Sequence, residues 1–166
     1  MRDLTNLKTF IIDSKDPKEV DDAFSLELIE GNIKKLWIHI SNPCKLFLVD
    51  SKIDIDARRK SSSLYLIDRY EAMLPAEIIG KANLNQNKIS ETISASIIFN
   101  DNGSVAKYEI VEAIIKPKYQ LTYEDADEII ELAPKEEFEI IEIKNLLLKS
   151  IKYRQTQGAI IFDTPG

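Results

Sequence analysis

Glu91-Thr92-Ile93-Ser94-Ala95-Ser96-Ile97-Ile98-Phe99-Asn100, then Asp101-Asn102-Gly103-Ser104, then Val105-Ala106-Lys107-Tyr108-Glu109-Ile110-Val111-Glu112-Ala113-Ile114-Ile115-Lys116 is the stretch that decides the fold. Both arms are rich in β-branched residues and alternate polar with apolar side chains, the period of a strand that buries one face. Asn102-Gly103 supplies the positive-φ positions a tight turn needs, so the arms close as a long antiparallel hairpin. Working outward, Phe10-Ile11-Ile12, Phe24 to Ile29 and Leu36 to Ile40 read as further strands, the last two joined at Glu30-Gly31-Asn32. Towards the C-terminus, Thr122-Tyr123-Glu124-Asp125 has the pattern of a capping box opening a helix with Ala126, Ile129, Ile130 and Ala133 on its apolar side. Pro134 ends that helix, or sits in the first turn of a longer one with Glu136 and Glu137 at its positive end, Lys149, Lys152 and Arg154 at its negative end, and Gly158 beyond. Ile140, Ile143, Leu147 and Ile151 recur at helical spacing and are expected to face the core. These elements predict one α+β (mixed α/β) domain over residues 1–166, with a central, largely antiparallel sheet and flanking helices.

Composition narrows the classes of function. With 166 residues and 44% apolar side chains the chain can build a real core. Its 28 acidic and 22 basic side chains give −6, so the surface is no general trap for polyanions. Nucleic acid must be held locally, by stacking and a few cations, or by other domains. The single Cys44 excludes an internal disulfide and fits a reducing compartment, so the cytoplasm is the expected location. Met1 to Asn6 show no apolar signal core, and no window approaches the roughly 18 apolar residues of a membrane span. No repeat, low-complexity tract or Gly/Ser linker supports a second domain.

Ile11-Ile12-Asp13-Ser14-Lys15-Asp16-Pro17-Lys18-Glu19-Val20-Asp21-Asp22-Ala23-Phe24 places five carboxylates within ten residues between two apolar runs. Carboxylates so close raise one another's pKa unless a cation joins them. The loop that carries them is expected to hang off a sheet edge, and a cluster beside buried strands suggests a hard cation. Magnesium, with manganese as substitute, is favoured because it takes oxygen ligands, keeps waters and shares its remaining positions with phosphate. Phosphodiester hydrolysis is the chemistry such a site would serve. A solvated acidic turn accounts for the polarity but not for its wedging between strands, and the spacing lacks the Asp-x-Asp-x-Asp-Gly rhythm of an EF-hand.

An ordered series of motifs then resembles the catalytic RNB domain of the ribonuclease II and ribonuclease R family. The series runs through Arg2-Asp3-Leu4-Thr5, Ile12-Asp13, Val20-Asp21-Asp22-Ala23, Trp37-Ile38-His39-Ile40-Ser41, Asp54-Ile55-Asp56-Ala57-Arg58 and Ser63-Leu64-Tyr65-Leu66. It continues with Met73-Leu74-Pro75, Leu121-Thr122-Tyr123 and Gly158-Ala159-Ile160-Ile161-Phe162. The resemblance implies that Asp13, Glu19, Asp21 and Asp22 bind magnesium and position the attacking water. Glu19 stands where the family usually has Asp. Its extra methylene moves the carboxylate outward by about one bond length, enough to alter ligand geometry or make the contact water-mediated. Glu19→Asp is accordingly expected to retain or raise activity.

The resemblance also implies that Tyr65 and Phe162 clamp the terminal nucleotides of single-stranded RNA and that Tyr123 lies near its 3′ end. Stacking suits an enzyme that does not read sequence, because every base offers a π-face. Taken alone, each of these aromatics reads as core rather than as a stacking platform, and the resemblance reverses that reading for Tyr65 and Tyr123 while leaving Phe162, four residues from the end, open between the two. Arg58, Arg59, Lys60 and Arg69 flank the Tyr65 strand and either meet phosphates or form a solvated basic face. His39 alternates with Trp37 between isoleucines, which suggests a structural residue in a strand rather than a general base. Asp16 falls on none of the implied ligand positions and is expected to bond only its own turn.

The resemblance covers the N-terminal part of an RNB domain. A later segment with a phosphate-binding arginine, and OB-type RNA-binding domains, are expected to lie outside this chain. The implied parent is a monomeric, magnesium-dependent, hydrolytic 3′-to-5′ exoribonuclease that releases nucleoside 5′-monophosphates, and the piece alone is expected to turn over little. The alternative is a noncatalytic RNA-binding or scaffolding relative.

Overall fold

The computed structural model describes residues 1–161. Along the chain run β1 (Arg2–Asp3), β2 (Thr9–Asp13), β3 (Asp22–Ile29), β4 (Ile33–Ser41), α1 (Lys52–Lys60), β5 (Leu64–Tyr65), β6 (Tyr70–Glu71) and α2 (Ala76–Ala82). There follow β7 (Ser90–Phe99), β8 (Val105–Ile115), β9 (Tyr119–Thr122), α3 (Tyr123–Leu132) and α4 (Phe138–Thr156). Seven strands form one sheet in the order β1-β8-β7-β4-β3-β2-β9, and β5-β6 form a separate small hairpin. The inner pairs are antiparallel, whereas β1 on β8 and β9 on β2 are parallel. The mixed fold with a largely antiparallel sheet is therefore as the patterning predicts. The acidic loop, residues 14–21, differs in one respect from its expected place on a sheet edge. It leaves the end of β2, and β2 is one strand in, because β9 pairs alongside it from Phe10↔Tyr119 to Asp13↔Thr122.

The β7–β8 hairpin forms where its pattern places it, with one irregularity between Ile98 and Phe99. In the turn only Gly103 takes a positive φ, +85°, and the Asn100 amide donates to the Ser104 carbonyl at 2.8 Å. A Cβ at Gly103 would lie 2.2 Å from the Lys149 carbonyl oxygen, so glycine here serves both the turn and the close approach of α4.

One face of the sheet packs against α3 and α4. Phe10, Ala126 and Ile140 form one buried cluster and Leu26, Leu36 and Ile143 another. The opposite face buries Ile11, Ala23, Trp37, Ala113 and Ile115 under Leu4, Val20 and Leu84. The Leu, Ile, Val and Phe side chains among these contribute about 1.5–3 kcal/mol each when fully buried. At α3, Thr122 Oγ1 accepts from the Asp125 amide at 3.1 Å while Asp125 accepts from the Thr122 amide at 2.9 Å, completing the expected capping box. Ala133 is not on the apolar side. It is exposed and adopts the left-handed conformation that stops the helix, φ +47°. Pro134 is extended and belongs to neither helix, since α4 begins only after a short 3-10 turn at Lys135–Glu137. Ile140 and Ile143 are buried and Leu147 packs against the second cluster, but Ile151 is 37% exposed because α4 has by then run past the sheet.

Between the paired strands β4 and β7 lies an excursion, residues 42–89, with its own small core of Ala57, Leu74 and Ile78. It carries the β5–β6 hairpin, whose Leu64 pairs with Glu71 and Tyr65 with Tyr70. No helix among the described residues is long and apolar enough to cross a membrane.

Candidate active site

Val20 organises the acidic loop. Its side chain is 5% exposed in the core, its amide donates to Asn83 Oδ1 at 3.2 Å, and its carbonyl accepts from the Leu84 amide at 2.8 Å. The next carbonyl, that of Asp21, accepts from the Ser41 amide at 2.7 Å and draws the chain into β3. Anchoring one apolar residue between Glu19 and Asp21 leaves their carboxylates free to face a shared space. Asp13, at the end of β2, accepts from the Ser14 amide at 2.6 Å.

The space is an open cleft of about 490 Å³ whose walls include Asp13, Glu19, Asp21 and Asp22 together with Tyr65, Tyr123, Phe24 and Lys18. All four acids singled out from the sequence thus line one cavity, and Asp16 lies outside its walls. Tyr65 and Tyr123 are 65% and 59% exposed, so neither ring is core. Phe162 lies outside the described residues.

The electrostatics reflect crowding of like charge. Partial burial pushes the Asp22 carboxyl above its ordinary range, and Asp21 and Asp13 add to the effect. Burial likewise raises the Tyr65 phenol, helped by the carboxylates of Glu19, Asp21 and Asp13. Among the described residues no three His, Cys, Asp or Glu side chains form a ready-made ligand cluster. The donor chemistry nevertheless fits a hard divalent cation: every candidate ligand is a carboxylate, and the cavity has room for waters and a phosphate.

Glu19 is more constrained than its neighbours. Its Oε1 accepts from Ser63 Oγ at 2.7 Å and from the Tyr70 hydroxyl. Burial and that bond push the Tyr70 phenol up to about 12. Ser63 Oγ in turn accepts from the Met73 amide at 2.9 Å, and the Tyr70 ring lies 5.1 Å from the Tyr65 ring at an interplanar angle of 41°. Ser63 and Tyr70 escape a sequence reading because they stand 44 and 51 residues from Glu19. The one available signal was the longer acid at position 19.

The basic residues around Tyr65 are largely engaged within the chain. Arg58 pairs with Asp50 at 2.5 Å and Asp54 at 2.9 Å, Arg69 pairs with Glu71 at 2.7 Å, and Lys60 Nζ donates to the Ala72 carbonyl at 2.8 Å. Arg59 lines a different groove, with Lys60 and Met73. His39 is wholly buried away from the cleft. Its ring nitrogens bond Ser25 Oγ at 2.9 Å and Ser94 Oγ at 2.8 Å, and burial pushes its pKa down to about 4, as suits a structural imidazole.

Comparison with known proteins shows the family and the fold. The family model described as RNB domain matches residues 1–166. An uncharacterized ribonuclease of Synechocystis is 35% identical over 164 residues, 98% of this chain and 25% of the relative. The chloroplastic/mitochondrial ribonuclease II of Arabidopsis thaliana is 32% identical over 159 residues, 95% of this chain and 20% of the relative. The chain thus spans a quarter or less of these relatives. Among solved structures, Mycoplasma genitalium RNase R in complex with double-stranded RNA superposes with a TM-score of 0.76 at 22% identity, over 94% of this chain and 28% of that one. Yeast Ssd1, a pseudonuclease, gives 0.69 at 20% identity, over 78% and 16%.

Proposed function

We propose, from the premise that this chain belongs to the RNB-domain family, that it is the metal-holding and strand-gripping part of a hydrolytic 3′-to-5′ exoribonuclease that releases nucleoside 5′-monophosphates from single-stranded RNA. One observation carries the reading: four carboxylates and two exposed tyrosines line the same open cleft. The fold alone would not suffice, since a pseudonuclease shares it. Asp13, Glu19, Asp21 and Asp22 all bear carboxylates, which supports the hydrolytic reading over a noncatalytic one.

Asp13, Asp21 and Asp22 would hold a magnesium ion, with Glu19 contributing through Oε2, which accepts no hydrogen bond among the described residues. When bound, the ion supplies stabilisation of the charge that builds on the phosphate and a lowered pKa for the attacking water. The chain's own residues do the rest. Tyr65 and Tyr123 offer flat faces for the terminal bases, and Lys18 on the cleft wall faces the backbone charge. Grip by stacking is sequence-independent, as stepwise shortening of any RNA requires.

Isothermal calorimetry with Mg²⁺ and a 5′-labelled single-stranded RNA ladder on the intact protein test the reading. Magnesium-dependent shortening from the 3′ end to mononucleotides is the expected result. RNA binding with no hydrolysis under any divalent ion would transfer the assignment to a noncatalytic RNA-binding relative.

A further inference from the structure

The hydrogen bonds of Glu19 lead to a role the acid set does not require. A glutamate serving only as a ligand has no need of hydroxyl partners outside its loop, yet both partners here lie on the excursion between β4 and β7. Tyr70 Oη and Ser63 Oγ converge on the one oxygen Oε1. Ser63 sits just before β5 and also receives the Met73 amide just after β6, so it ties together the two ends of the hairpin. Tyr70 is the cross-strand partner of Tyr65 and packs against its ring at 5.1 Å. Across the tip beyond them runs one backbone bond among the described residues, from the Leu66 amide to the Arg69 carbonyl at 2.9 Å, and Ile67 is fully exposed. A two-stranded hairpin of this size is marginal by itself, so its position depends on what braces its base.

We propose that Glu19 is a positioning residue for RNA: through Ser63 and Tyr70 it braces the β5–β6 hairpin against the acidic loop and so sets the Tyr65 ring over the cleft. This rests on the proposed exoribonuclease reading for its functional half and on geometry alone for its structural half. The extra methylene of glutamate relative to aspartate is what lets the carboxylate reach from the loop to the hairpin with Oε1, while Oε2 accepts no hydrogen bond among the described residues. Position 19 thereby couples the metal side of the site to the base-stacking side. Tyr70 is the point at which that coupling can be cut without altering any carboxylate.

The experiment compares wild type, Tyr70→Phe, Glu19→Asp, Glu19→Gln and the double variant Glu19→Asp/Tyr70→Phe in the intact protein. Tyr70→Phe keeps the ring and loses only the donor. It should lengthen the limit product and raise KM for short oligonucleotides about three- to tenfold, a fraction of one stacked base, while kcat on long RNA and the Mg²⁺ concentration for half-activity stay within about twofold. Glu19→Asp keeps the charge but shortens the reach and should give the same longer product. The double variant should be no worse than Glu19→Asp alone, the non-additivity expected of one shared contact. Glu19→Gln retains an acceptor oxygen, so its limit product should stay short even where its metal dependence shifts. Hydrogen exchange over residues 63–73 should quicken in Tyr70→Phe and Glu19→Asp and remain slow in Glu19→Gln. Unchanged exchange in the first two overturns the brace, and faster exchange with an unaltered product ladder overturns its role in placing Tyr65. If the wild type degrades no RNA, the exoribonuclease reading falls, and the exchange comparison still decides whether Glu19 holds the hairpin.

Discussion

Two clusters of polar side chains lie on the same sheet and meet opposite fates. In the first, His39 on β4 bridges Ser25 on β3 and Ser94 on β7, and Thr92 Oγ1 lies 2.8 Å from Ser94 Oγ. All four residues are at most 1% exposed. In the second, Asp13, Glu19, Asp21 and Asp22 crowd an open cleft, and Asp22 is pushed towards protonation by its own burial and by its neighbours. The seam is neutral and closed, each group satisfying the next, which is how polar groups survive burial. The cleft is charged and open, and its groups want something from outside. What separates this histidine from a catalytic one is whether its bonds are already complete. Here they are.

The largest expected effect strikes the open cluster. Asp21→Asn should lower single-turnover hydrolysis by a hundredfold or more, on the order of what losing one transition-state electrostatic contact costs. Fluorescence anisotropy should show RNA affinity within a few-fold of wild type, since affinity comes from stacking and phosphate contacts. Activity equal to wild type would place the chemistry elsewhere and erase the contrast between the clusters.

The closed cluster should answer to pH rather than to metal. Burial lowers the His39 pKa from 6.5 to about 4, so between these values the unfolded chain binds the extra proton. The stability it contributes is complete above pH 6.5 and is lost as pH falls towards 4, by about 3 kcal/mol at 1.36 kcal/mol per unit. Urea unfolding of wild type and His39→Gln at pH 7 and pH 4.5 isolates this share. An equal pH dependence in both proteins would mean that the seam is not dry.

Tyr65→Ala comes next. Losing one stacked ring costs on the order of 1–3 kcal/mol, ten- to a hundredfold in retention of a short end product, and little on a long RNA held at many points. The limit product should lengthen with no change in metal affinity by calorimetry. A large drop in melting temperature with an unchanged ladder would instead make the ring structural, against its 65% exposure. The smallest expected effect is at Thr122, which caps α3 beside Tyr123. Thr122→Ala should cost about 1 kcal/mol of stability by thermal unfolding. A loss of activity out of proportion to that figure would show that the cap also positions the Tyr123 ring.

The sequence by itself determined what depends on near neighbours. Alternation and a glycine in the turn specify the β7–β8 hairpin, Thr122 and Asp125 specify the start of α3, and five acids in ten residues mark the loop, because each of these rests on contacts a few residues apart. The ring assignments at Tyr65 and Tyr123 came from family likeness, since an aromatic between apolar residues carries no local mark of exposure. Only the tertiary structure decided the rest. Parallel pairing of β9 on β2 moves the acidic loop in from the edge, and the left-handed Ala133 ends α3 where helical spacing alone would extend it. Most of all, the reach of Glu19 to Ser63 and Tyr70 across 44 and 51 residues has no period to betray it. Such a bond exists because the excursion's own small core sets the hairpin beside the loop, and that placement belongs to packing rather than to any segment of the chain.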